Sequence, residues 1–261
     1  MADTLTLSDT AYCKLRGQLA SGELPPDAVL SEPRLARELG MSRTPVREAV
    51  RRLVFEGFLE QTPKKGTLVK RLEPEDVVEL YELRELVEGH AAAAAAEQMG
   101  GREIGVLAGL VDRMPAIGRA AGRGGETPLT ERLATEFFAV DLAFHLMILR
   151  TVSNKRIAKI ASDFQILTRL FAHPKRTPTI RIVGSSYACH RRILRGIRRH
   201  DPAAAREAMW AHIRRGKAEA LKRFQFDPAA APGRPADGSL WASLPPDVYA
   251  QMEPALLELK R

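Results

Sequence analysis

The first part of the chain, as far as residue 57, is interrupted at short intervals by glycine and proline, which restricts it to short helices. Pro25-Pro26 ends a first helix, Gly40 supplies a turn after a second, and Gly57 ends a third. Ser42 is a favourable N-cap for the third helix, and Pro45 falls in its first turn, where the missing N–H costs little. The sequence therefore predicts three short helices, with a glycine turn between the second and the third.

Two segments that follow the third helix favour β-structure. Residues 58–61 and 67–70 flank the turn sequence Thr62-Pro63-Lys64-Lys65-Gly66, which is typical of a β-hairpin with a basic tip. Helix, helix, turn, helix and hairpin, in this order, form a winged helix-turn-helix, which we assign to residues 1–72. The tip of such a hairpin is suited to enter the minor groove of DNA or to follow its backbone.

The pattern from residue 73 to residue 225 is helical and lacks strand-like alternation. A first helix can run to Gly100-Gly101, and Pro115 is expected to kink or end the second. Further helices are predicted over about 102–121, 128–151, 155–172, 179–198 and 202–224. The apolar stripe of the first helix consists of Val77, Val78, Tyr81, Leu86 and Val87. The predicted fold is therefore mainly α, with the winged helix-turn-helix followed by an antiparallel α-helical bundle.

The chain ends in a segment of different composition. Residues 226–238 are rich in proline, alanine and glycine and are typical of a linker, and apolar residues return after Leu240. We treat residues 226–261 as a linker and tail without an assigned role.

Charge and cysteine content bear on the partners and the compartment. The net charge of +8 is compatible with a nucleic-acid partner, although charge alone is weak evidence. The two cysteines, Cys13 and Cys189, form no disulfide framework, and the N-terminus lacks the basic start and apolar stretch of a signal peptide. The most conspicuous apolar run, Ala91–Ala96, is far shorter than a membrane span. We therefore expect a cytoplasmic protein without a membrane partner.

The third helix carries arginine at three positions spaced by four residues, namely Arg43, Arg47 and Arg51. This spacing places them along one side of the helix, apart from an apolar stripe that can pack inward. Arginine can contact phosphate or bind guanine O6 and N7 in the major groove. The hydroxyls of Ser42 and Thr44 lie at the helix N-terminus and are suited to phosphate contact. The alternative is a solvated basic face paired with Glu48, but the preceding helix, the glycine turn and the basic hairpin favour DNA reading.

Two strings in this region carry a family resemblance. Residues 30–36 (LSEPRLA) and 41–50 (MSRTPVREAV), followed by Gly66, resemble the GntR family of bacterial regulators. The resemblance covers the whole N-terminal domain and implies DNA contacts at the matching positions Arg34, Arg43, Thr44, Arg47 and Gly66. Lys65 lies at the wing tip, where members of the family vary.

Four residues in the helical region have the chemistry of metal ligands. Asp141 and His145 are four residues apart and share one helical face, so they can chelate one ion. His190 and His212 lie on two later helices, and an antiparallel bundle can bring all four side chains together. Such a set suits zinc, nickel or manganese and leaves coordination positions open. A lone histidine on an amphipathic helix is more often not a ligand, and we assign no metal role to the histidines at 90, 173 and 200.

The surroundings of these four residues resemble the C-terminal domain of FadR-type GntR regulators. The matching features are Asp-x-x-Phe-His at 141–145, Ser153-Asn154, His190 before Ile193, and Asp201 before Ala205, Met209 and His212-Ile213. In the metal-binding branch of that domain an Asp and three His in this order hold the ion. The resemblance also implies a homodimer and an acidic effector held by a basic side chain. Arg84, Arg150 and Arg169 are candidates for that side chain, although Arg84 and Glu88 can simply pair.

These features together predict a homodimeric, ligand-responsive transcription factor rather than an enzyme. We expect a repressor of operator DNA that is controlled by a small carboxylate bound at or near the metal. Two alternatives remain at this point. A metal site with three His and one Asp can activate water in a hydrolase, or the metal can be purely structural, without an effector.

Overall fold

The computed structural model describes residues 6–20, 23–71, 73–154, 156–157, 160–161 and 177–226. The helices named in this part of the chain are α1 (Leu7–Ala20), α2 (Glu32–Leu39), α3 (Arg43–Phe55), α4 (Pro74–Gln98), α5 (Gly101–Ala120), α6 (Glu131–Leu149), α7 (Ile180–Arg198) and α8 (Pro202–Phe226). The strands are β1 (Val29–Leu30), β2 (Leu59–Thr62) and β3 (Gly66–Val69). The mainly helical fold with an N-terminal winged helix-turn-helix is confirmed.

The three N-terminal helices pack around one small apolar core. Tyr12, Leu15 and Leu19 of α1 are buried together with Leu53 of α3 and Phe58 at the start of the hairpin. These α1 residues recur every three or four positions, so they form one stripe that covers the inner face of α3. The outer face of α3 is thereby left to solvent.

The turn between α2 and α3 depends on Gly40. This residue adopts the left-handed conformation with φ of 65° and ψ of 34°, which favours glycine because a side chain would be strained there. The Met41 N–H donates to the Ala36 carbonyl oxygen at 2.9 Å, which closes the end of α2. α3 therefore begins only three residues after Gly40.

The wing is a three-stranded antiparallel sheet in the order β1-β3-β2. Leu59 pairs with Val69, and Thr62 pairs with Gly66, so the predicted hairpin is present with each strand within one residue of its predicted bounds. β1 was not predicted from the sequence, and it joins the sheet through the pairing of Val29 with Leu68. The extra strand ties the wing back to the segment that precedes α2.

The helical bundle is organised around α4 and α8, which run antiparallel. Tyr81 lies against Gly216, and the Trp210 Nε1–H donates to the Glu85 carbonyl oxygen at 2.9 Å, so positions rise along α4 as they fall along α8. The Trp210 ring lies on Gly89, where an added Cβ would be 2.2 Å from Nε1. α4 also contributes Ala91–Ala96, all buried, and these small side chains allow neighbouring helices to approach closely.

The structure corrects two expectations about the bundle helices, the alternative that Pro115 ends its helix and the inward position of Leu86. Pro115 does not end its helix, since α5 continues to Ala120, and the buried Met114 and Ile117 hold both sides of the proline in the core. Leu86 does not belong to the inward stripe of α4, because 68% of its surface is exposed. The inward positions around that turn are occupied by Arg84 and Glu88, which are both buried.

Two predicted segments lie largely or wholly outside the described residues. Of the helix predicted over 155–172, residues 156–157 and 160–161 are described and are helical. The tail beyond residue 226 lies outside the described part. Among the described helices, each is too short or too polar to act as a membrane span.

α7 and α8 form a tight helical hairpin. The Asp201 N–H donates to the Gly196 carbonyl oxygen at 3.0 Å, and the Asp201 carboxylate accepts from the Ala204 N–H at 2.9 Å. A Cβ added at Gly196 would be 2.6 Å from the backbone nitrogen of Ala205. Because the obstacle is backbone, side-chain rotation cannot relieve it, and the hairpin requires glycine at 196.

We therefore predict that Gly196→Ala destabilises the protein by about 1–3 kcal/mol, the usual cost of overpacking. Gly184→Ala on the same helix is the matched control, because a Cβ there meets no atom within 4 Å. The control should be neutral or should stabilise by up to about 1 kcal/mol, since alanine favours helix. Urea unfolding of both variants measures the difference. Equal stabilities would mean that the close contact at Gly196 does not exist in solution.

Candidate metal centre and nucleic-acid interface

The outer face of α3 is exposed and basic. Arg43, Arg47 and Arg51 are exposed, whereas Val46 and Val50 between them are buried, as the predicted stripes require. Among the described residues, Glu48 forms no ion pair with any of the three arginines. The alternative that Glu48 neutralises this face is therefore not what the structure contains.

The N-terminus of α3 is open to solvent. Ser42 is the N-cap residue, but its side chain makes no capping hydrogen bond, contrary to the usual role of a serine there. Ser42 and Thr44 are both exposed. Their hydroxyls and the first N–H groups of α3 thus form a site with the chemistry that phosphate requires. Arg34 on α2 is also exposed and pairs with Glu38 at 2.6 Å.

A buried polar anchor fixes the orientation of α3 against α1. The Tyr12 hydroxyl donates to Glu56 Oε2 at 2.6 Å, and the Arg52 guanidinium lies 3.7 Å from the centre of the Tyr12 ring. Burial raises the pKa of Tyr12 above its ordinary value, so the hydroxyl stays protonated and can donate. Arg52 also reaches Asp9 at 3.5 Å. The basic face is thus presented by a helix that is tied down on its opposite side.

The wing tip carries exposed lysines. Lys64 has a φ of 70°, in the left-handed region, and the Lys65 N–H donates to the Thr62 carbonyl oxygen at 3.2 Å to close the turn. Lys64, Lys65 and Gly66 are all exposed at this tip. The predicted hairpin with a basic tip is therefore present, and its tip is open to solvent.

Helices α6, α7 and α8 bring the four predicted metal ligands into one cluster. One donor atom from each of Asp141, His145, His190 and His212 lies within 4.8 Å of the others. His145 and His190 are fully buried, and Asp141 and His212 are partly exposed. Sequence spacing joined only Asp141 to His145, and the bundle supplies the other two.

The distances in the cluster fit a common ion. His212 Nε2 lies 3.1 Å from His145 Nε2 and 3.3 Å from His190 Nε2, and His190 Nε2 lies 3.5 Å from Asp141 Oδ1. An ion held about 2.1 Å from each ligand would place neighbouring ligand atoms roughly 3.0–3.4 Å apart. Three imidazole nitrogens and a carboxylate oxygen that converge in this way are a suitable ligand set for a divalent transition metal.

The environment keeps these rings oriented and available. Burial lowers the pKa of His212 well below its usual value, and the nearby His190 and His145 lower it further. A neutral ring offers the lone pair that a metal needs. The His190 ring stacks on Phe144 with centroids 4.0 Å apart and planes 8° from parallel. His190 is thereby fixed in rotation.

A fourth helix, α4, contacts the metal cluster through the ion pair of Arg84 and Glu88. Arg84 Nε donates to Glu88 Oε1 at 2.7 Å, which is the pairing that the sequence allowed, and Glu88 Oε2 lies 2.5 Å from His145 Nδ1. Burial by itself raises the pKa of Glu88, but the Arg84 guanidinium and the hydrogen-bonding contact with His145 lower it to about 2. Burial likewise lowers the pKa of Arg84, but Glu88 and Tyr81 raise it above its ordinary value, so both members of the pair are charged.

Comparison with known proteins identifies the family. Residues 7–69 match the bacterial regulatory proteins of the gntR family, and residues 79–215 match the FCD domain. An uncharacterized HTH-type transcriptional regulator in an unstable DNA locus of Streptomyces ambofaciens is 32% identical over 235 residues, which cover 85% of this chain and 92% of that relative. This chain belongs to the GntR family.

Other relatives and solved structures agree. The probable D-xylose utilization operon transcriptional repressor of Paenarthrobacter nicotinovorans is 28% identical over 75% of this chain and 80% of its own length. The structure of McbR/YncC from E. coli shares the fold with a TM-score of 0.66 at 20% identity, over 85% of this chain and all of that one. The GntR regulator from Rhodococcus sp. RHA1 gives 0.62 at 21% identity, over 82% and 97%.

Family membership decides several expectations. GntR proteins with an FCD domain are DNA-binding transcription regulators, so the prediction that the chain is not an enzyme is confirmed and the hydrolase alternative is set aside. The resemblance stated from the sequence is confirmed as well.

The other candidates of this GntR chain lie in different places. Arg150 is the exposed C-cap residue of α6, so it is not brought into the buried cluster. Arg169 lies outside the described residues, as does the histidine at 173. His90 is exposed, and His200 Nδ1 donates to the Ala96 carbonyl oxygen at 2.8 Å, so neither belongs to the metal centre. Burial raises the pKa of the Cys189 thiol, which stays protonated beside His190.

Sequence reasoning missed the role of Glu88. It noted only the possible pairing with Arg84, because the contact with His145 joins residues 57 positions apart. The available signal was a charged pair, four residues apart, at positions where a helix should be apolar. The same signal would have corrected the assignment of Leu86 to the inward stripe.

We predict that the purified protein binds about one equivalent of a divalent metal, and that His145→Ala loses it, because His145 supplies a central ligand nitrogen. His90→Ala is the matched control, since it removes an exposed histidine outside the cluster. Elemental mass spectrometry after loading with zinc, nickel and manganese measures the content. Absence of metal from the wild-type protein under all three conditions would contradict the four-residue site.

Proposed function

We propose that this chain is a homodimeric repressor whose binding to operator DNA is controlled by a small carboxylate held at or near a metal ion. The observation that carries the proposal is the convergence of Asp141 and three histidines, whose ligand atoms lie within 4.8 Å of one another. These residues belong to a domain separate from the exposed basic helix. We assign DNA reading to residues 1–72 and sensing with dimerisation to residues 73–225. The tail, 226–261, has no assigned role.

The DNA side of the proposal rests on charge and exposure. We assign contacts with base edges and phosphates in the major groove to Arg43 and Arg47, which are exposed on α3. The supporting contacts to the DNA backbone or the minor groove are assigned to Arg34, Ser42, Thr44, Lys65 and Gly66. Arg34 must release or share its pairing with Glu38 to do so, which an exposed pair permits at small cost.

The metal would be held by Asp141, His145, His190 and His212, whose donor atoms fit one ion. When bound, a zinc, nickel or manganese ion supplies positive charge and open coordination positions that suit a carboxylate oxygen. The partial exposure of Asp141 and His212 leaves an approach to this side of the cluster.

Arg84 is the effector candidate that the geometry favours. Arg84 pairs with Glu88, and Glu88 contacts the ligand ring of His145, so the guanidinium lies next to the cluster. Its Nε is committed to Glu88, and among the described residues its terminal nitrogens have no hydrogen-bond partner. The terminal N–H groups of a guanidinium match a carboxylate. Arg150 and Arg169 are retained as weaker candidates.

The nature of the effector follows from this chemistry and from relatives. The metal ion and the Arg84 guanidinium would both attract an anion, and the anion must be small enough to enter the bundle. The gluconate operon transcriptional repressor of Bacillus licheniformis is 25% identical over 61% of this chain and 60% of its own length. Its name, like that of the D-xylose relative, refers to a sugar or a sugar acid. We therefore propose a sugar acid or another small organic acid.

The helix α4 is suited to carry the signal. It begins at Pro74, directly after the wing, and Lys70 beside β3 pairs with Asp76 in its first turn at 2.8 Å. It also carries Arg84 and Glu88 at the metal centre. A ligand that binds one arrangement of the bundle more tightly than another would shift the population of DNA-binding conformers. Two such heads in a dimer match the two half-sites of a near-palindromic operator.

We predict that Arg47→Ala weakens binding to the selected operator by about 1–3 kcal/mol, or roughly 5- to 150-fold, because a base-reading contact is lost. The operator is first selected from a random DNA pool with the wild-type protein, and fluorescence anisotropy then gives the Kd. Arg102→Ala, an exposed arginine at the start of α5, is the control and should bind as the wild type does. If both variants bind equally well, α3 is not the reading helix.

The effector is tested with the metal-loaded protein on the same operator. A panel of sugar acids and organic acids is added, and we expect at least one to change the Kd for DNA in the wild type but not in His145→Ala. Metal that is bound stoichiometrically, with no carboxylate altering DNA affinity, would instead favour a purely structural ion and contradict the proposed control.

A further inference from the structure

Glu88 touches the metal centre without belonging to the four ligands. Its side chain is fully buried, and both of its oxygens are committed. Oε2 lies 2.5 Å from His145 Nδ1, and Oε1 accepts from Arg84 Nε at 2.7 Å. The carboxylate therefore joins a cation on its own helix to a ligand ring on another.

This contact determines which nitrogen of His145 carries hydrogen. An ionised carboxylate can only accept, so the hydrogen between the two groups lies on His145 Nδ1. The opposite nitrogen, Nε2, then presents its lone pair toward His212 Nε2 and the centre of the cluster, 3.1 Å away. In the other neutral tautomer the hydrogen would sit on Nε2 and would block the ligand position.

We propose that Glu88 is the positioning residue of the metal centre: it fixes the ring orientation and the tautomer of His145 and ties that ligand to helix α4. This inference rests on the proposed metal-dependent function. All four ligands come from α6, α7 and α8, so α4 supplies none of them. Through Glu88 and His145, α4 would still be connected to the ion.

Arg84 makes this arrangement possible. A buried carboxylate without a charged partner is costly, and the guanidinium four residues earlier on the same helix compensates it. Because the pair lies within α4, the Glu88 carboxylate is held by a partner on its own helix. His145 is thus oriented by a rigid element and not by a flexible side chain.

The first test is the metal affinity of Glu88→Gln. Glutamine has nearly the same shape, but its amide accepts through one oxygen only, so its NH2 must face either Arg84 or the His145 N–H. We expect the Kd for nickel or zinc to rise about 10- to 100-fold, as for the loss of other hydrogen-bond partners of metal ligands. Glu82→Gln on the same helix is the control, since Glu82 is exposed and pairs with Lys217.

The second measurement distinguishes positioning from general stability. In the cobalt-loaded wild type, proton NMR should show a hyperfine-shifted N–H signal from His145 Nδ1 that exchanges slowly with water, because Glu88 covers it. In Glu88→Gln this signal should shift or exchange faster, whereas Glu82→Gln should leave it unchanged. If Glu88→Gln does not fold, ¹⁵N-histidine NMR of the loaded wild type gives the tautomer directly.

The outcomes separate the two proposals. Wild-type metal binding with unchanged affinity and an unchanged N–H signal in Glu88→Gln would overturn the role of Glu88 and leave the proposed function standing. Coordination of His145 through Nδ1 in the wild type would do the same. A wild-type protein that binds no metal would overturn the proposed function first, and this inference with it.

Discussion

The burial of two imidazoles and an ion pair among helices is the constraint on which the C-terminal domain depends. Polar groups removed from water destabilise a fold unless they find partners there. Glu88 finds two, Arg84 and His145, and the rings of His145 and His190 pack against Phe144 at 5.7 and 4.0 Å between centroids. The site is therefore part of the core, and removal of one of its side chains would leave a buried polar group without its hydrogen-bond partner.

This constraint also explains the small residues around the site. Three helices, α6, α7 and α8, must approach closely enough for donor atoms to lie within 4.8 Å of one another, and α4 must pack against them to bring Glu88 to His145. Ala91–Ala96 on α4, Gly89 under Trp210 and Gly196 against the Ala205 backbone let the helix axes approach. Alanine buries less apolar surface than leucine or isoleucine and so contributes less to stability. In this chain it permits a close contact that larger side chains would prevent.

The sequence predicted the elements well and the contacts between distant residues less well. Local signals were sufficient for the turn at Gly40, for the start of α3 after Ser42 and for the pairing of Arg84 with Glu88, because each acts within a few residues. β1 escaped prediction because two residues show no alternation, and their strand character arises only by pairing with β3. The alternative that Pro115 ends its helix was wrong, because the local cost of proline was considered without the buried neighbours Met114 and Ile117 that retain the helix. The spacing of Asp141 and His145 predicted that they share one face of a helix. Their convergence with His190 and His212 was predicted from the family resemblance and is seen in the structure. Nothing in the spacing could place Glu88 beside His145.

The two functional regions share one rigid element. From Asp76, which pairs with Lys70 beside the wing, to Glu88, which holds His145, α4 runs for twelve residues, or about 18 Å of continuous helix. A helix of this length transmits displacement along its axis and resists bending. Control of DNA binding nevertheless requires more than connection, because a ligand shifts an equilibrium only by the difference between its affinities for the two states. The contact between Glu88 and His145 is where such a difference can arise. A change in the position of His145 must either be followed by α4 or break a buried charged hydrogen bond, and leaving such groups unpaired costs more than the loss of an ordinary hydrogen bond.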